Sequence, residues 1–275
     1  MTQEIKELLK NIKHFALDMD GTIYNGSTLF PFTNRFLSYL KENGINYSFL
    51  TNNPSKSTSD YLKHLEKMGI EATEEEMYTS AVATINYIKK NHPTFKRLFI
   101  LGTPSMIKEF EAAGFVSTED DATDKPDALV VGFDTSLVYS RLCRAAYWAS
   151  QQLPYFATNP DWVCPTDQPN ILVDCGSICA CIEGATKRKP DAVIGKPDPQ
   201  MLDGIIYKYK LQPKEIAMVG DRIYTDVQMA INAGALGILV LSGEATSDDV
   251  AQSAVKPPIV ARDLAHIQEY LMECK

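Results

Sequence analysis

The sequence predicts an α/β protein: a core built on a parallel sheet, with a smaller α/β domain inserted into it. Three observations carry this expectation. Short apolar runs alternate with segments of helical period almost from end to end, the pattern of strands and helices around a parallel sheet. Four of the apolar runs lead into a polar residue, and open parallel sheets present their ligand-binding residues at the carboxyl ends of the strands. Finally, about a hundred residues between a helix closing near Gly69 and a strand at Ala192 carry a strand–helix alternation of their own, enough for a small domain.

Taken in order, Met1 to Lys6 reads as the start of a short amphipathic helix. His14-Phe15-Ala16-Leu17 is the first strand. A helix over Asn34 to Glu42 places Phe36, Leu37 and Leu40 on one face, with Gly44 as its stop. Asn46 to Leu50 is a second strand, and a helix over Thr58 to Met68 turns Tyr61, Leu62, Leu65 and Met68 inward before Gly69. Further strands are expected at Arg97 to Leu101, Ala128 to Gly132, Tyr155 to Thr158, Ala192 to Ile194, Ile216 to Val219 and Gly237 to Leu241, with helices between them. The acidic stretch from Ser117 to Asp124 reads as a solvated loop.

Composition narrows the function. With 45% hydrophobic and 23% charged residues the chain is an ordinary globular protein rather than a disordered one. A net charge of −8 disfavours nucleic acid and anionic membrane as partners, since both recruit basic patches. No apolar run approaches the ~20 residues of a membrane span. Met1 to Lys6 lacks the apolar core of an export signal. The six cysteines show no framework spacing, so reduced thiols and a cytoplasmic location are expected.

The chemistry collects where apolar runs end. Phe15-Ala16-Leu17 ends at Asp18, Ser48-Phe49-Leu50 at Thr51, Ala192-Val193-Ile194 leads to Lys196, and Ala217-Met218-Val219 leads to Asp221. If the four strands are parallel neighbours, these residues meet on one edge. In Asp18-Met19-Asp20-Gly21-Thr22, residues i and i+2 of an extended segment point the same way, so both carboxylates face one place. Gly21 allows a sharp turn. One carboxylate can act as a nucleophile toward phosphorus and the other as a general acid and base, although Asp and Gly also end strands in plain turns. Nearby residues have structural readings: Thr225 with Gln228 as a capping box, Arg222 as an ion-pair partner of a motif carboxylate, Pro197-Asp198-Pro199 as a rigid helix entry, and Cys175, Cys179 and Cys181 as buried helix cysteines. The four histidines are scattered and carry no chemistry.

Asp18-Met19-Asp20-Gly21-Thr22, Thr51-Asn52-Asn53, Gly195-Lys196-Pro197 and Gly220-Asp221-Arg222-Ile223-Tyr224-Thr225-Asp226 resemble, in order and context, the motifs of the haloacid dehalogenase superfamily, in particular its NagD-type, p-nitrophenyl phosphatase-like branch. The resemblance spans essentially the whole chain. It implies a HAD-like Rossmannoid core over 1–76 and 190–275, with an inserted α/β cap over 77–189 that sets substrate choice. It implies a phosphatase acting on a small phosphorylated metabolite, of sugar-phosphate or nucleotide type, through an aspartyl-phosphate intermediate. Asp18 resembles the nucleophile and Asp20 the general acid/base. Thr51, Asn52 and Asn53 would hold the transferring phosphoryl group, and Lys196 would neutralise its charge.

Asp221, with the Asp18 carboxylate and the Asp20 carbonyl, would hold Mg²⁺, and Asp226 would sit behind them or hold a metal-bound water. Carboxylate and carbonyl oxygens are what Mg²⁺ prefers, which agrees with this set. In the cap, Asp174-Cys175-Gly176-Ser177 corresponds to the specificity loop, and Asn159, within Ala157 to Asp161, is a second candidate. Members of the branch can form homodimers through the cap. The alternatives are a phosphoryl transferase or phosphomutase of the same superfamily, or a non-catalytic phosphate-ligand-binding protein. An acid at Asp20 distinguishes this chain from the superfamily's dehalogenases. No G-x-G-x-x-G follows a strand, which disfavours a nucleotide-dependent dehydrogenase.

Overall fold

The computed structural model describes residues 2–166 and 169–274. In chain order the strands of its two main sheets are β1 (His14–Asp18), β2 (Asn46–Thr51), β3 (Met77–Thr79), β4 (Arg97–Leu101), β5 (Val116–Ser117), β6 (Ala128–Val131), β7 (Tyr155–Ala157), β8 (Ala192–Val193), β9 (Ile216–Gly220), β10 (Leu236–Val240) and β11 (Ile259–Ala261). They form one sheet of order β11-β10-β9-β1-β2-β3 and another of order β8-β7-β6-β4-β5. The chain divides into two compact units: the first runs from the N-terminus to Thr51, then His64–Tyr78 and Pro197 to the C-terminus; the second is Asn52–Lys63 with Thr79–Lys196. No helix among the described residues is long and apolar enough to cross a membrane.

In the first unit β1 is central, paired in parallel with β9 on one side and β2 on the other. Its residues His14 to Leu17 are fully buried, as expected of a parallel strand covered on both faces. The helix Thr33–Glu42 buries Phe36, Leu37 and Leu40, and Phe36 meets Phe15 edge-on at 5.7 Å. Register places Leu17 opposite both Val219 and Phe49, so Asp18, Thr51 and Asp221 emerge at one end of three adjacent strands.

In the second unit alternation along each strand serves two faces. Phe99, Leu101, Leu129 and Val131 pack with Trp148, Ile178 and Ile182 of the helices Tyr139–Ser150 and Cys175–Thr186. Leu98, Ile100, Ala128 and Val130 pack with Ile85, Ile88 and Phe110 of the helices Ser80–Asn91 and Pro104–Ala112.

Several expectations need correcting. The Ala192 run is a strand, but it pairs with β7 in the second sheet, not with β1, β2 or β9. An apolar run identifies a strand, not its partner. The second unit accordingly runs on to Lys196, and Asn52–Lys63 groups with it. Three strands of these sheets carry no sequence signal, β3, β5 and β11, because two or three residues are too few to show a period; Ser117, expected to open a loop, ends β5. Thr225 caps no helix: it lies inside a π-type turn over Ile223–Val227, its hydroxyl 3.4 Å from the Asp226 carboxylate. Cys175 and Cys179 are buried, but Cys181 is exposed.

Candidate functional site

The carboxyl end of the first sheet concentrates negative charge. β1 delivers Asp18, half-buried, at the point where its apolar run stops. Asp20, two residues on, is exposed, and one of its oxygens accepts from the Gly26 amide at 3.3 Å. Between them the chain folds back on itself: the amides of Thr22 and Ile23 donate to the Met19 carbonyl, and the Gly21 amide to the Tyr24 carbonyl at 2.7 Å. Gly21 stands at φ +82°, and a Cβ there would collide with the Asp221 carboxylate. Glycine is therefore required twice at this position, for the turn and for the space.

β9 ends in Gly220, which lies flush against the Asp226 side chain, and then Asp221. Asp226 is buried and accepts from the Arg222 amide at 3.2 Å. Asp18, Asp221 and Asp226 each offer a carboxylate oxygen within 4.8 Å of the others. At that separation each pair of charges repels by about 3.5 kcal/mol at an effective dielectric of about 20. Two of the three groups are buried, so solvent does not screen them away. A hard, oxygen-seeking divalent cation is the natural counter-charge for such a donor set, and the residues fit Mg²⁺.

Arg222 pairs with Glu244, its Nε lying 2.8 Å from that carboxylate, and the motif carboxylates Asp18 and Asp221 also favour its charge. Burial alone would disfavour its charge. Tyr224, Glu244, Asp18 and Asp221 outweigh that and raise its pKa above the ordinary arginine value. Thr51, the last residue of β2, is buried.

The second unit holds the remaining candidates, and there polar groups are spent on one another. The Asn52 side chain grips the backbone of Lys196: its oxygen accepts from the Lys196 amide at 2.7 Å and its Nδ2 donates to the Lys196 carbonyl at 3.1 Å. Nδ2 also donates to Asp161 at 2.9 Å. Both amide hydrogens are thereby committed. Asn53 caps a local turn, accepting from the Ser55 amide at 2.9 Å. Lys196 itself is buried. The preceding Gly195 lies so close to Asn159 that a Cβ would fall 2.7 Å from the Asn159 Cα.

Among the cap candidates Asn159, Asp174 and Cys175 are buried, while Gly176 and Ser177 are partly exposed. Asn159 is fully buried and donates to Asp161 at 3.2 Å and to Asp174 at 3.0 Å. Asp174 is the N-cap of the helix Cys175–Thr186, accepting from the Cys175 amide. The Cys175 thiol donates to the Val131 carbonyl at 3.3 Å, and Ser177 donates to the Trp162 carbonyl at 2.7 Å. A Cβ at Gly176 would strike the Pro160 carbonyl.

Two participants escaped sequence reasoning. Asp161 links Asn52 to Asn159, but was read only as part of a loop. The segment Ser242-Gly243-Glu244 follows β10 and touches the carboxylate cluster: Ser242 donates to the Gly21 carbonyl at 2.7 Å, and the Glu244 amide donates to Asp221 at 2.7 Å. Its signal was available, since β10 is another apolar run that ends in polar residues at the same sheet edge.

This arrangement belongs to a recognised class. A family model of haloacid dehalogenase-like hydrolases matches residues 15–116, and a HAD-hydrolase-like model matches 193–267. The chain is a member of the haloacid dehalogenase-like hydrolase family. Among its relatives, the ribonucleotide monophosphatase NagD of Escherichia coli K12 is 30% identical over 93% of this chain and 98% of its own length. The acid sugar phosphatase of Staphylococcus aureus USA300 is 32% identical over 93% and 96%. The structure of a 4-nitrophenylphosphatase from Thermotoga maritima superposes with TM-score 0.90 at 40% identity, covering 95% of this chain and 98% of that one. A glycerol phosphate phosphatase from Mycobacterium tuberculosis, solved with magnesium, superposes with TM-score 0.86 at 28% identity, covering 94% and 78%.

Proposed function

We propose that the protein is a Mg²⁺-dependent phosphatase that hydrolyses small organic phosphate monoesters, of sugar-phosphate or nucleotide type, through a phosphoryl group carried on Asp18. The observation that carries this reading is the carboxylate cluster of Asp18, Asp221 and Asp226 at one sheet edge, beside a glycine turn that presents Asp20 two residues later. The names of the relatives, all phosphatases of small esters, support the substrate class. Asp18, the Asp20 carbonyl and Asp221 hold the cation, with Asp226 behind them. When bound, Mg²⁺ offsets the negative charge of phosphate and carboxylates so that the two can approach.

A carboxylate oxygen of Asp18 attacks phosphorus, and the bond from phosphorus to the ester oxygen breaks. Asp20 gives its proton to the departing oxygen, then takes one from the water that attacks the phosphoryl-aspartate, releasing phosphate and restoring Asp18. Thr51 and the backbone of Asn52 and Asn53 receive the phosphoryl oxygens. Lys196 supplies positive charge to them, held in place by the Asn52 side chain. The second unit acts as the substrate-selecting cap, with the Asn159 and Asp174–Ser177 loops shaping it. Six unbridged cysteines support action in the cytoplasm. A homodimer through the cap is supported by Val138, Tyr139 and Tyr147, exposed on and beside one helix.

The test is hydrolysis of p-nitrophenyl phosphate with and without Mg²⁺. Turnover that stops on chelation and returns with added Mg²⁺ is expected. Full activity in chelator would overturn the metal assignment.

A further inference from the structure

The segment after β10 makes an unusual set of contacts with the carboxylate cluster, all within the first unit. Ser242 is bonded to the Gly21 carbonyl, and Gly243 lies so close to Asp221 that a Cβ there would collide with its carboxylate. The Glu244 amide donates to the Asp221 carboxylate at 2.7 Å, and the Ala245 amide to the Asp221 carbonyl at 3.1 Å. The Glu244 side chain then reaches the other way. One oxygen lies 2.8 Å from Arg222 Nε and the other accepts from the Tyr224 hydroxyl at 2.8 Å. Arg222 closes the ring, because its backbone amide holds Asp226 at 3.2 Å.

We infer that Glu244 is a positioning residue for the divalent-cation site, joining through Arg222 the backbone donors that fix the Asp221 and Asp226 carboxylates. The inference rests on the metal reading proposed above. Its physical basis is that three mutually repelling carboxylates splay apart unless neighbouring donors hold them, and metal affinity depends on how well the ligands are pre-arranged. The Glu244–Arg222 pair is not fully buried, with side chains 46% and 21% exposed, so its role is better sought in metal affinity than in global stability.

The experiment titrates Mg²⁺ calorimetrically into the metal-stripped, full-length protein. Wild type should bind, and Asp221→Asn should lose binding. Glu244→Gln and Glu244→Ala should bind ~10-fold to 100-fold more weakly, the range for residues that orient metal ligands, while the metal-free melting temperature stays near that of wild type. A purely electrostatic effect is separated by the double variant Glu244→Gln with Arg222→Gln. If positioning matters, the double variant stays as weak as the single one; if Glu244 only neutralises Arg222, affinity recovers and the inference falls. Wild-type affinity in both Glu244 variants, alongside loss in Asp221→Asn, would overturn Glu244's role and leave the metal site standing. An Asp221→Asn variant that binds Mg²⁺ like wild type would overturn the metal reading and this inference together.

Discussion

The two sheets share a parallel architecture but use their carboxyl ends differently. In the first, the edge residues are carboxylates, and Gly21, Gly220 and Gly243 are pressed against them so that no side chain intervenes. In the second, side-chain amides are bonded to backbone and to carboxylates, Asn52 to the Lys196 backbone and Asn159 to Asp161 and Asp174. One edge gathers carboxylates whose oxygens converge within 4.8 Å, a donor set that suits a cation. The other is a closed hydrogen-bond network that fixes the position of one lysine. Reactive chemistry belongs with the first pattern and geometric support with the second.

The sharpest break of that comparison lies in the glycines. Gly243→Ala should force the Asp221 carboxylate aside and lower p-nitrophenyl phosphate turnover by at least ~100-fold, the scale on which small misplacements act in catalysis. Gly44→Ala is the control: it also stands at positive φ, +67°, but its Cβ would meet nothing within 4 Å. It should cost only about 1 kcal/mol of stability, read in a denaturant titration, and leave turnover alone. Equal kinetic effects from the two would remove the distinction between a glycine at the carboxylates and a glycine in a turn.

In the second network, Asn52→Ala frees the Lys196 backbone and removes one of the two amide donors, Asn52 and Asn159, that hold Asp161. Turnover should fall by ~10-fold to 100-fold, as for residues that orient a functional group. Asp174→Ala removes a helix cap and an Asn159 partner, so it should cost ~1–2 kcal/mol of stability with the smaller kinetic effect. A reversed order, with Asp174→Ala kinetically worse than Asn52→Ala, would indicate that the cap loop touches substrate directly.

The smallest effect is a pH dependence away from both edges. His14 is buried in β1 with Nε2 3.0 Å from Ser48 Oγ, and burial, with a contribution from Lys208, lowers its pKa to about 3. The unfolded chain takes up this proton near pH 6.5 and the folded one does not. The contribution to stability is therefore complete above pH 6.5 and is lost as pH falls from there toward 3. Below pH 6, His14→Gln should flatten the stability–pH slope by up to about 1.4 kcal/mol per pH unit, measured by denaturant titration. An unchanged slope would mean that other groups govern acid unfolding.

Much of this was legible in the chain because it is written locally. The run His14 to Leu17 ending at Asp18, and Arg97 to Leu101, are strands of the expected extent because uninterrupted apolar residues have few other uses there. Asp18, Thr51 and Asp221 meet because three such runs are neighbours in one sheet. What remained hidden depends on tertiary closure. Ala192-Val193 looks like any short strand until β7 claims it. Thr225 has the spacing of a cap, but Asp226 is turned back onto the Arg222 amide and the chain winds into a wider turn instead. Asn52 looks like a phosphate donor until Lys196, 144 residues later, takes up its amide. Glu244 is one more exposed acid until its amide meets Asp221.

The central claim is that Asp18 carries the phosphoryl group, and the most direct measurement is acid-quench trapping of phosphoenzyme during turnover of a labelled phosphate ester with Mg²⁺, in wild type and in Asp18→Asn. The account predicts hydroxylamine-sensitive label on the wild type, localised by peptide mapping to the segment containing Asp18, with no label and no turnover in Asp18→Asn. A mutant that still turns over, or label that maps to another residue, would contradict it.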